Sequence, residues 1–264
     1  MPELAEVEWY RKQWDAGRGE KIVDLDLHAT NRVFRGTNTR ALHEHLVGST
    51  LESSTARGKR MLFRFSNDNW LGIHLGMTGK IHVEPESFHA SRHDHLVLSQ
   101  RGRALVFTDS RQFGRIRFHH GSDEPNWWKS DVPEIISGEF TQDWIDGFFD
   151  RHGKAPVKGV LLMQNGFPGI GNWMADEILW RAKIPPLKRT GKLTGGERAG
   201  IFRATKFVVK RSLETLGLNF SDPPRSWFIH QKWKRDGVCP KHRRPLKHGM
   251  IAGRATAWCP KCQR

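Results

Sequence analysis

The chain has 264 residues, with 43 Lys and Arg against 28 Asp and Glu and a net charge of +15. That length accommodates one to three domains with ample core, and so basic a balance points to a polyanionic partner. No apolar run reaches the roughly eighteen residues of a membrane span, and the acidic, helical opening is unlike a secretory signal.

Residues 3–16 read as an opening helix, with Leu4, Val7 and Trp14 on one side and acids on the other. Ahead of it stands Met1-Pro2-Glu3. Once Met1 is removed, Pro2 carries a free secondary amine, and an α-amine titrates at about 7.7–8.0 against about 10.4 for Lys. It is then substantially uncharged, and nucleophilic, at cellular pH. The dipole of the following helix disfavours a cation there, while Glu3 and Glu6 favour one. Two readings stand: a Schiff-base nucleophile with a carboxylate as proton-transfer partner, or an ordinary acidic helix start.

From about residue 20 to 120 the hydrophobic period becomes two. Met61, Phe63 and Phe65 alternate with polar residues up to Ser66-Asn67-Asp68-Asn69, and Leu71, Ile73 and Leu75 alternate after it, predicting a hairpin. Leu96–Leu98 and Leu105–Phe107 flank Gln100-Arg101-Gly102 in the same way. Successive hairpins with no helix between them predict an antiparallel sandwich or barrel. Residues 121–134, with Pro125, Pro133 and two tryptophans, read as a connection to a second domain. Beyond it the pattern is helical. A short helix over Val157–Gln164 precedes the turn Asn165-Gly166-Phe167-Pro168-Gly169-Ile170-Gly171, and Asn172 is placed to N-cap the next helix. Residues 197–216 form another helix, ended by Gly217.

Within the hairpin region, Lys59 begins a strand; most such basic residues are simply solvated. Met77 lies on a glycine turn between strands, either as a wedge for a base stack or as core packing. Arg111 and Phe113 make a second, arginine-aromatic tip. His93-Asp94-His95 lacks a third ligand nearby and reads as a hydrogen-bonded structural pair. In the second half, N–H groups of the turn before Asn172 can bind a phosphate oxygen, although such a turn alone is commonly only a turn.

Residues 225–264 carry eleven Lys and Arg and a single acid, Asp236. All three cysteines of the chain lie here, beyond residue 238. They make no disulfide framework, and they imply a reducing compartment and metal binding. The spacing Cys239-x2-His242-x16-Cys259-x2-Cys262 brings four soft or borderline ligands to one tetrahedral point and suits a structural Zn2+ with no position left for catalytic water. Arg254, between the two knuckles, is offered to a phosphate or to solvent.

Together these pieces resemble the formamidopyrimidine-DNA glycosylase/endonuclease VIII family, in order and over nearly the whole chain. The matching stretches are Pro-Glu-Leu-x-Glu-Val-Glu at the start, Arg-Gly-Lys-Arg at 57–60, His-Leu-Gly-Met-Thr-Gly at 74–79 and His-Asp-His at 93–95. Asp-Ser-Arg-Gln-Phe-Gly at 109–114, Gly-Ile-Gly-Asn at 169–172 and the cysteine spacing with Arg-Ala-Thr before its second knuckle complete them. The resemblance implies an α+β multidomain chain: an N-terminal antiparallel β-sandwich (1–125), a helical helix–two-turns–helix domain (126–224) and a C-terminal β-hairpin zinc finger (225–264), with DNA in the cleft between them. It implies a bifunctional DNA glycosylase/AP lyase of base excision repair, a monomer acting on double-stranded DNA that contains oxidised bases or abasic sites, in a bacterial-type cytoplasm at the nucleoid. By this similarity Pro2 attacks C1′, Glu3 is the acid/base that opens the sugar, Glu6 supports the site and Lys59 contacts phosphate and sugar. Met77, Arg111 and Phe113 correspond to the residues that fill the gap left by a flipped nucleotide; Lys154, Asn172 and Arg254 match phosphate-gripping positions.

The sequence departs from that family's pattern at Ala5, Gln112, Met163 and His242, and the stretch from Gly217 to Cys239 is short. By the resemblance, a longer loop there helps enclose 8-oxoguanine. Its shortness and the Trp258-Cys259-Pro260-x-Cys262-Gln263 ending lean towards endonuclease VIII, while the N-terminus leans towards formamidopyrimidine-DNA glycosylase. The substrate stays open, with ring-opened purines and oxidised pyrimidines the safer expectation than 8-oxoguanine. Two other readings compete: a non-catalytic damage-binding protein of the same shape, and a zinc-ribbon RNA-binding protein, which leaves Pro2-Glu3 and both tips unexplained.

Overall fold

The computed structural model describes residues 1–264, which divide into two compact units. One comprises Met1–Pro2 and Glu6–Asp131, the other Glu3–Ala5 and Val132–Arg264. Helix α1 (Leu4–Gln13) opens the chain and tightens into a 3-10 turn over Trp14–Gly17, so the helix expected over 3–16 is present with a narrower last turn.

The first unit is an antiparallel sandwich. Its strands are β1 (Asp24–Leu27), β2 (Leu51–Arg57), β3 (Arg60–Phe65), β4 (Asn69–His74), β5 (Lys80–Glu84), β6 (Asp94–Gln100), β7 (Arg103–Thr108) and β8 (Arg115–His120), with helix α2 (Thr39–Leu46) before β2. They form two four-stranded sheets, ordered β1-β6-β7-β5 and β2-β3-β4-β8. Both predicted hairpins are present: Met61 pairs with Ile73 and Phe63 with Leu71 across β3–β4, and Leu98 pairs with Leu105 across β6–β7. Asn67 and Asp68 take positive φ (60° and 57°) in the first of these turns, a left-handed backbone that Asn and Asp tolerate. Phe63, Phe65, Leu71, Leu96, Leu105 and Phe107 fill the space between the sheets and are fully buried.

Residues 121–131 do more than connect. Trp128 is fully buried against Leu62 and Trp70 on the outer face of β3 and β4. The Trp127 ring occupies the space above Gly72, where a Cβ would lie 2.4 Å from it. Side chains that alternate away from the sandwich core therefore acquire a cover of their own, and the compact unit extends to Asp131.

The second unit is built from α3 (Gln142–Arg151), α4 (Val157–Leu161), α5 (Asn172–Ala182), α6 (Gly195–Glu214), the short turns α7 (Leu216–Asn219) and α8 (Ile229–Lys232), and a hairpin of β9 (Lys247–Ile251) and β10 (Arg254–Trp258). Helix α6 starts with a capping box, the Thr194 hydroxyl accepting from Glu197 N–H while the Glu197 carboxylate accepts from Thr194 N–H. It breaks at Thr215, and Gly217 lies inside α7 rather than ending the long helix. Phe140, Phe149, Phe167, Ile178, Ile201 and Val208 make the core. Residues 225–264 belong to this same unit: Trp180 of α5 stacks on Phe228 at 5.7 Å, and its indole N–H donates to Cys239 Sγ at 3.4 Å.

Candidate active site and nucleic-acid interface

In the second unit, the N-terminus of α5 is capped from far away in the chain. Gly171 takes the N-cap position without a side chain, and Asn172, expected to be the cap, is the first helical residue. The orphan N–H groups go instead to the Glu3 carboxylate. Oε2 accepts from Gly171 N–H at 2.9 Å and Met174 N–H at 3.1 Å, and Oε1 accepts from Trp173 N–H at 2.9 Å. A carboxylate at a helix N-terminus meets both the unpaired donors and the positive end of the dipole. A Cβ on Gly171 would sit 2.3 Å from Glu3 Cδ, so the glycine is what lets Glu3 approach. Glu3 is only 3% exposed, and Leu4 N–H donates to Gly169 O at 3.1 Å, fixing the adjoining backbone.

Asn172 has another use. Its Nδ2 donates to Ala255 O of β10 at 2.9 Å, while its Oδ1 is buried with no partner. The β9–β10 hairpin is thereby held beside the start of α5. Its turn, Ala252-Gly253, has two positive φ angles and leads to the exposed Arg254. Lys154, also exposed, precedes α4.

Behind Asn172 lies a charge cluster that sequence reading missed. Asp176, 1% exposed, accepts from both Lys158 and Lys232, and these two ammonium groups also approach Asn172 O at 3.5 and 3.2 Å. Burial pulls Lys158 down to about 8, against the Asp176 carboxylate, which favours its charge. Glu177, fully buried, pairs with Arg181 at 2.8 Å, and burial pushes it up to about 7 despite that partner. Acids at i and i+1 of a helix ordinarily face solvent on at least one side; only the packing of residues 225–232 on α5 encloses both.

In the first unit, Pro2 is half-buried just before α1, and Glu6 is half-buried in its first turn. Lys59 is 9% exposed in the β2–β3 turn, behind Gly58 at φ +59°. It lies near His74, whose imidazole is held below its ordinary value by burial first and then by Lys59, Arg35 and Arg60. The two tips expected separately are joined into one structure. Asp109 accepts from the Thr78 hydroxyl at 2.6 Å, from Gly114 N–H at 2.7 Å and from Arg111 N–H at 3.3 Å. Gly76, at φ +64°, leaves no room for a Cβ, which would fall 2.4 Å from the backbone of Phe113. Met77 and Phe113 remain 41% and 39% exposed, and the Arg111 guanidinium lies 4.7 Å over the Phe113 ring. Large apolar side chains on rigidly braced, exposed turns are suited to entering a base stack. His95 is, as expected, structural: its ring nitrogens meet Asn31 Nδ2 and Asp109 O, both at 2.8 Å.

The C-terminal cysteines converge. The Sγ atoms of Cys239, Cys259 and Cys262 lie within 4.8 Å of one another. Cys239 and Cys262 are 3.7 Å apart, close to the edge of about 3.8 Å that a tetrahedron with Zn–S bonds of about 2.3 Å requires. Cys262 N–H donates to Cys259 Sγ at 3.4 Å, and the buried Gln263 side chain braces the knuckle between Cys259 N–H and Ile184 O, 2.9 Å from each. Burial and the two neighbouring sulfurs push the Cys262 thiol up to about 12. The ring of His242 is not part of this group. The residue is half-exposed beside Lys241, Lys261 and Lys183, and it is its backbone N–H that reaches Cys239. Three thiols fit a metal ion as they stand; the fourth expected ligand does not reach them in this conformation.

A braced carboxylate following Pro2 in the chain, exposed apolar turns and a cysteine cluster, carried on a sandwich and a helical unit, fit the class of DNA-processing proteins. Comparison with known proteins gives the family. The formamidopyrimidine-DNA glycosylase N-terminal domain model matches residues 1–116, and the formamidopyrimidine-DNA glycosylase H2TH domain model matches 133–222. The chain is 32% identical to the formamidopyrimidine-DNA glycosylase of Thermus thermophilus, covering 100% of this chain and 98% of the relative. To that of Herpetosiphon aurantiacus it is 30% identical over all of both chains. Among solved structures it resembles the Lactococcus lactis enzyme in complex with DNA containing an oxidised pyrimidine (TM-score 0.89, 27% identity, 100% of both chains). It also resembles that enzyme bound non-covalently to DNA with an AP site (TM-score 0.87, 26% identity, 99% of both chains). This chain belongs to the formamidopyrimidine-DNA glycosylase family.

Proposed function

We propose that the protein is a bifunctional DNA glycosylase/AP lyase, excising ring-opened purines and oxidised pyrimidines and then nicking the strand. The observation that carries this reading is the Glu3 carboxylate, fixed by three backbone N–H groups immediately after Pro2. After loss of Met1, the lone pair of the Pro2 nitrogen attacks C1′ of a nucleotide flipped from the duplex, a step that costs a few kcal/mol of stacking. The C1′–base bond breaks, and the base leaves with its electron pair. Glu3 takes the proton of the Pro2 nitrogen and delivers it to O4′ as the sugar opens to an iminium. Loss of a C2′ proton then expels the 3′ phosphate, and a second elimination releases the 5′ phosphate. Met77 and Phe113 occupy the gap in the stack, Arg111 is held on Phe113, Lys59 meets the phosphates near the lesion, and Glu6 supports the first turn of α1. Lys154, Asn172 and Arg254 grip the backbone from the second unit.

Residues 225–264 act as a finger in which Cys239, Cys259 and Cys262 hold one Zn2+, with His242 turning in as fourth ligand. The ion is structural; every chemical step is carried by side chains of this chain and by its N-terminal amine. Chelation is expected to release zinc and loosen this segment; protein purified under reducing conditions without bound metal overturns the assignment. No helix is long and apolar enough to cross a membrane; a monomer at the bacterial nucleoid is the setting proposed.

Borohydride tests the mechanism by reducing the iminium to a stable amine. A covalent protein–DNA adduct is expected on abasic or lesion-containing duplexes. Pro2→Gly, or one extra residue ahead of Pro2, is expected to abolish the adduct. Tight binding of abasic DNA with neither adduct nor nick would instead identify a non-catalytic damage-binding protein.

A further inference from the structure

The outer face of the β2-β3-β4-β8 sheet carries a pocket of about 240 Å3 lined chiefly by Arg35, Arg60, His74, Arg115, Arg117 and Trp127. It arises from strand alternation. Arg115 and Arg117 stand outward on β8, paired with His74 and Gly72 of β4, and Arg60 is paired with His74 from the other side. The Trp127 ring forms one wall, with the Arg117 guanidinium 5.5 Å from its centroid.

Four guanidinium groups share this space, and no acid lines it. Their hydrogen bonds go to uncharged acceptors: Arg35 donates to Gly114 O at 2.7 Å, and Arg60 to Trp127 O at 2.7 Å. Arg115 Nε is buried with no partner. Burial first, and then repulsion from neighbouring arginines (Arg115 for Arg35 and Arg117, Arg57 for Arg60), lowers the guanidinium pKa values of Arg35, Arg60 and Arg117. His74 Nδ1 accepts from Gly76 N–H at 3.1 Å, so a neutral ring presents its other nitrogen as a donor. Crowded cations with unspent N–H groups fit a phosphate, whose oxygens take the planar forks of arginine in pairs. The aromatic wall suits the sugar and base that accompany it. The pocket also lies at the root of both wedge loops, since Arg35 holds the carbonyl of Gly114, next to Phe113, and His74 holds the N–H of Gly76, next to Met77.

We infer that this pocket binds a backbone phosphate of the DNA strand that passes the Met77 and Phe113 tips. The contact is additional to those of Lys59, Lys154, Asn172 and Arg254, and it rests on the DNA-repair reading above. It also gives the outward arginines of β8 a task that the excision chemistry does not.

The test measures binding of the full chain to a duplex with an uncleavable abasic-site analogue across a range of NaCl concentrations. Arg115→Gln/Arg117→Gln is expected to make the slope of log K against log salt less negative by about 1 for the phosphate lost. Arg18→Gln/Arg101→Gln, which removes the same charge from exposed positions on this unit, is expected to keep the wild-type slope. An equal change in both double variants, or none in the first, overturns the proposal. So does a pocket that takes only small anions: inorganic phosphate would raise the unfolding temperature of wild type but not of Arg115→Gln/Arg117→Gln, with identical DNA slopes. If the double variant does not fold, Arg117→Gln alone reads the same slope. Because this measurement needs no cleavage, a wild type that borohydride fails to trap would sink the lyase reading without altering this result.

Discussion

Lys158 and Lys232 in the helical unit, and Arg115 and Arg117 on the sandwich, are all basic side chains drawn partly or wholly out of water, yet they meet opposite surroundings. The two lysines close on one carboxylate, Asp176, and are shut away with it. The arginines face other cations and an aromatic wall. In the first region the charge is neutralised inside the fold, where it holds α4, α5 and α8 together; in the second the neutralising group must come from outside. Positive charge alone therefore does not mark a nucleic-acid surface. What marks it is charge that the fold leaves unanswered.

Four substitutions sharpen that contrast. The largest effect is expected from Asp176→Ala, which strands two buried ammonium groups; removing one partner from such a cluster costs about 3–5 kcal/mol, measurable by denaturant unfolding. Little loss there would mean that water or an anion already reaches Lys158 and Lys232. Next comes Glu177→Gln. Burial raises the folded carboxyl to about 7 from an ordinary 4.5, so the folded state holds a proton between those values that the unfolded state has released. The cost of burying the charge is absent below the ordinary value, grows across the interval and is complete above about 7. Stability of Glu177→Gln relative to wild type should thus be more favourable at about pH 8 than at about pH 5; the reverse trend would show that the Arg181 pair dominates. The smallest effects on stability belong to Met77→Ala and Phe113→Ala, exposed tips for which a change within about 0.5 kcal/mol is expected. Their cost should appear instead as weaker binding and slower trapping on lesion duplexes; a large loss of melting temperature would make them core residues after all.

Much of this was legible before any coordinates. Period-two alternation fixed the β3–β4 and β6–β7 hairpins, because whether a side chain points in or out is decided by its immediate neighbours along the strand. Cysteine spacing foretold the gathering of Cys239, Cys259 and Cys262 for the same local reason, while the place of His242 beside them depends on the conformation of the first knuckle. The capping of α5 was misassigned: Asn172 has the right chemistry but stands one residue inside the helix, and Glu3, 168 residues before Gly171, supplies a full charge to the donors while Asn172 turns to the hairpin. The outward basic stripe of Arg115 and Arg117 on β8 was not singled out from the sequence. Its pocket was not readable, since that needed Trp127 to settle over Gly72.

Sequence alone thus determined the β3–β4 and β6–β7 hairpins, the opening helix and the helices around α4, α5 and α6, the order of the motifs and the chemistry available at Pro2, Glu3 and the cysteines, but not α2, which interrupts the stretch read as strand. Those properties follow from hydrophobic period, turn residues and intrinsic acidity, all of which act over a few residues. Tertiary structure alone decided that Glu3 is pinned by α5, that Asp176 is neutralised by two lysines, and that the arginines on β8 are left facing one another. Those outcomes depend on which distant segments share a volume, and burial there sets whether a charge is paired, shifted or kept for a ligand.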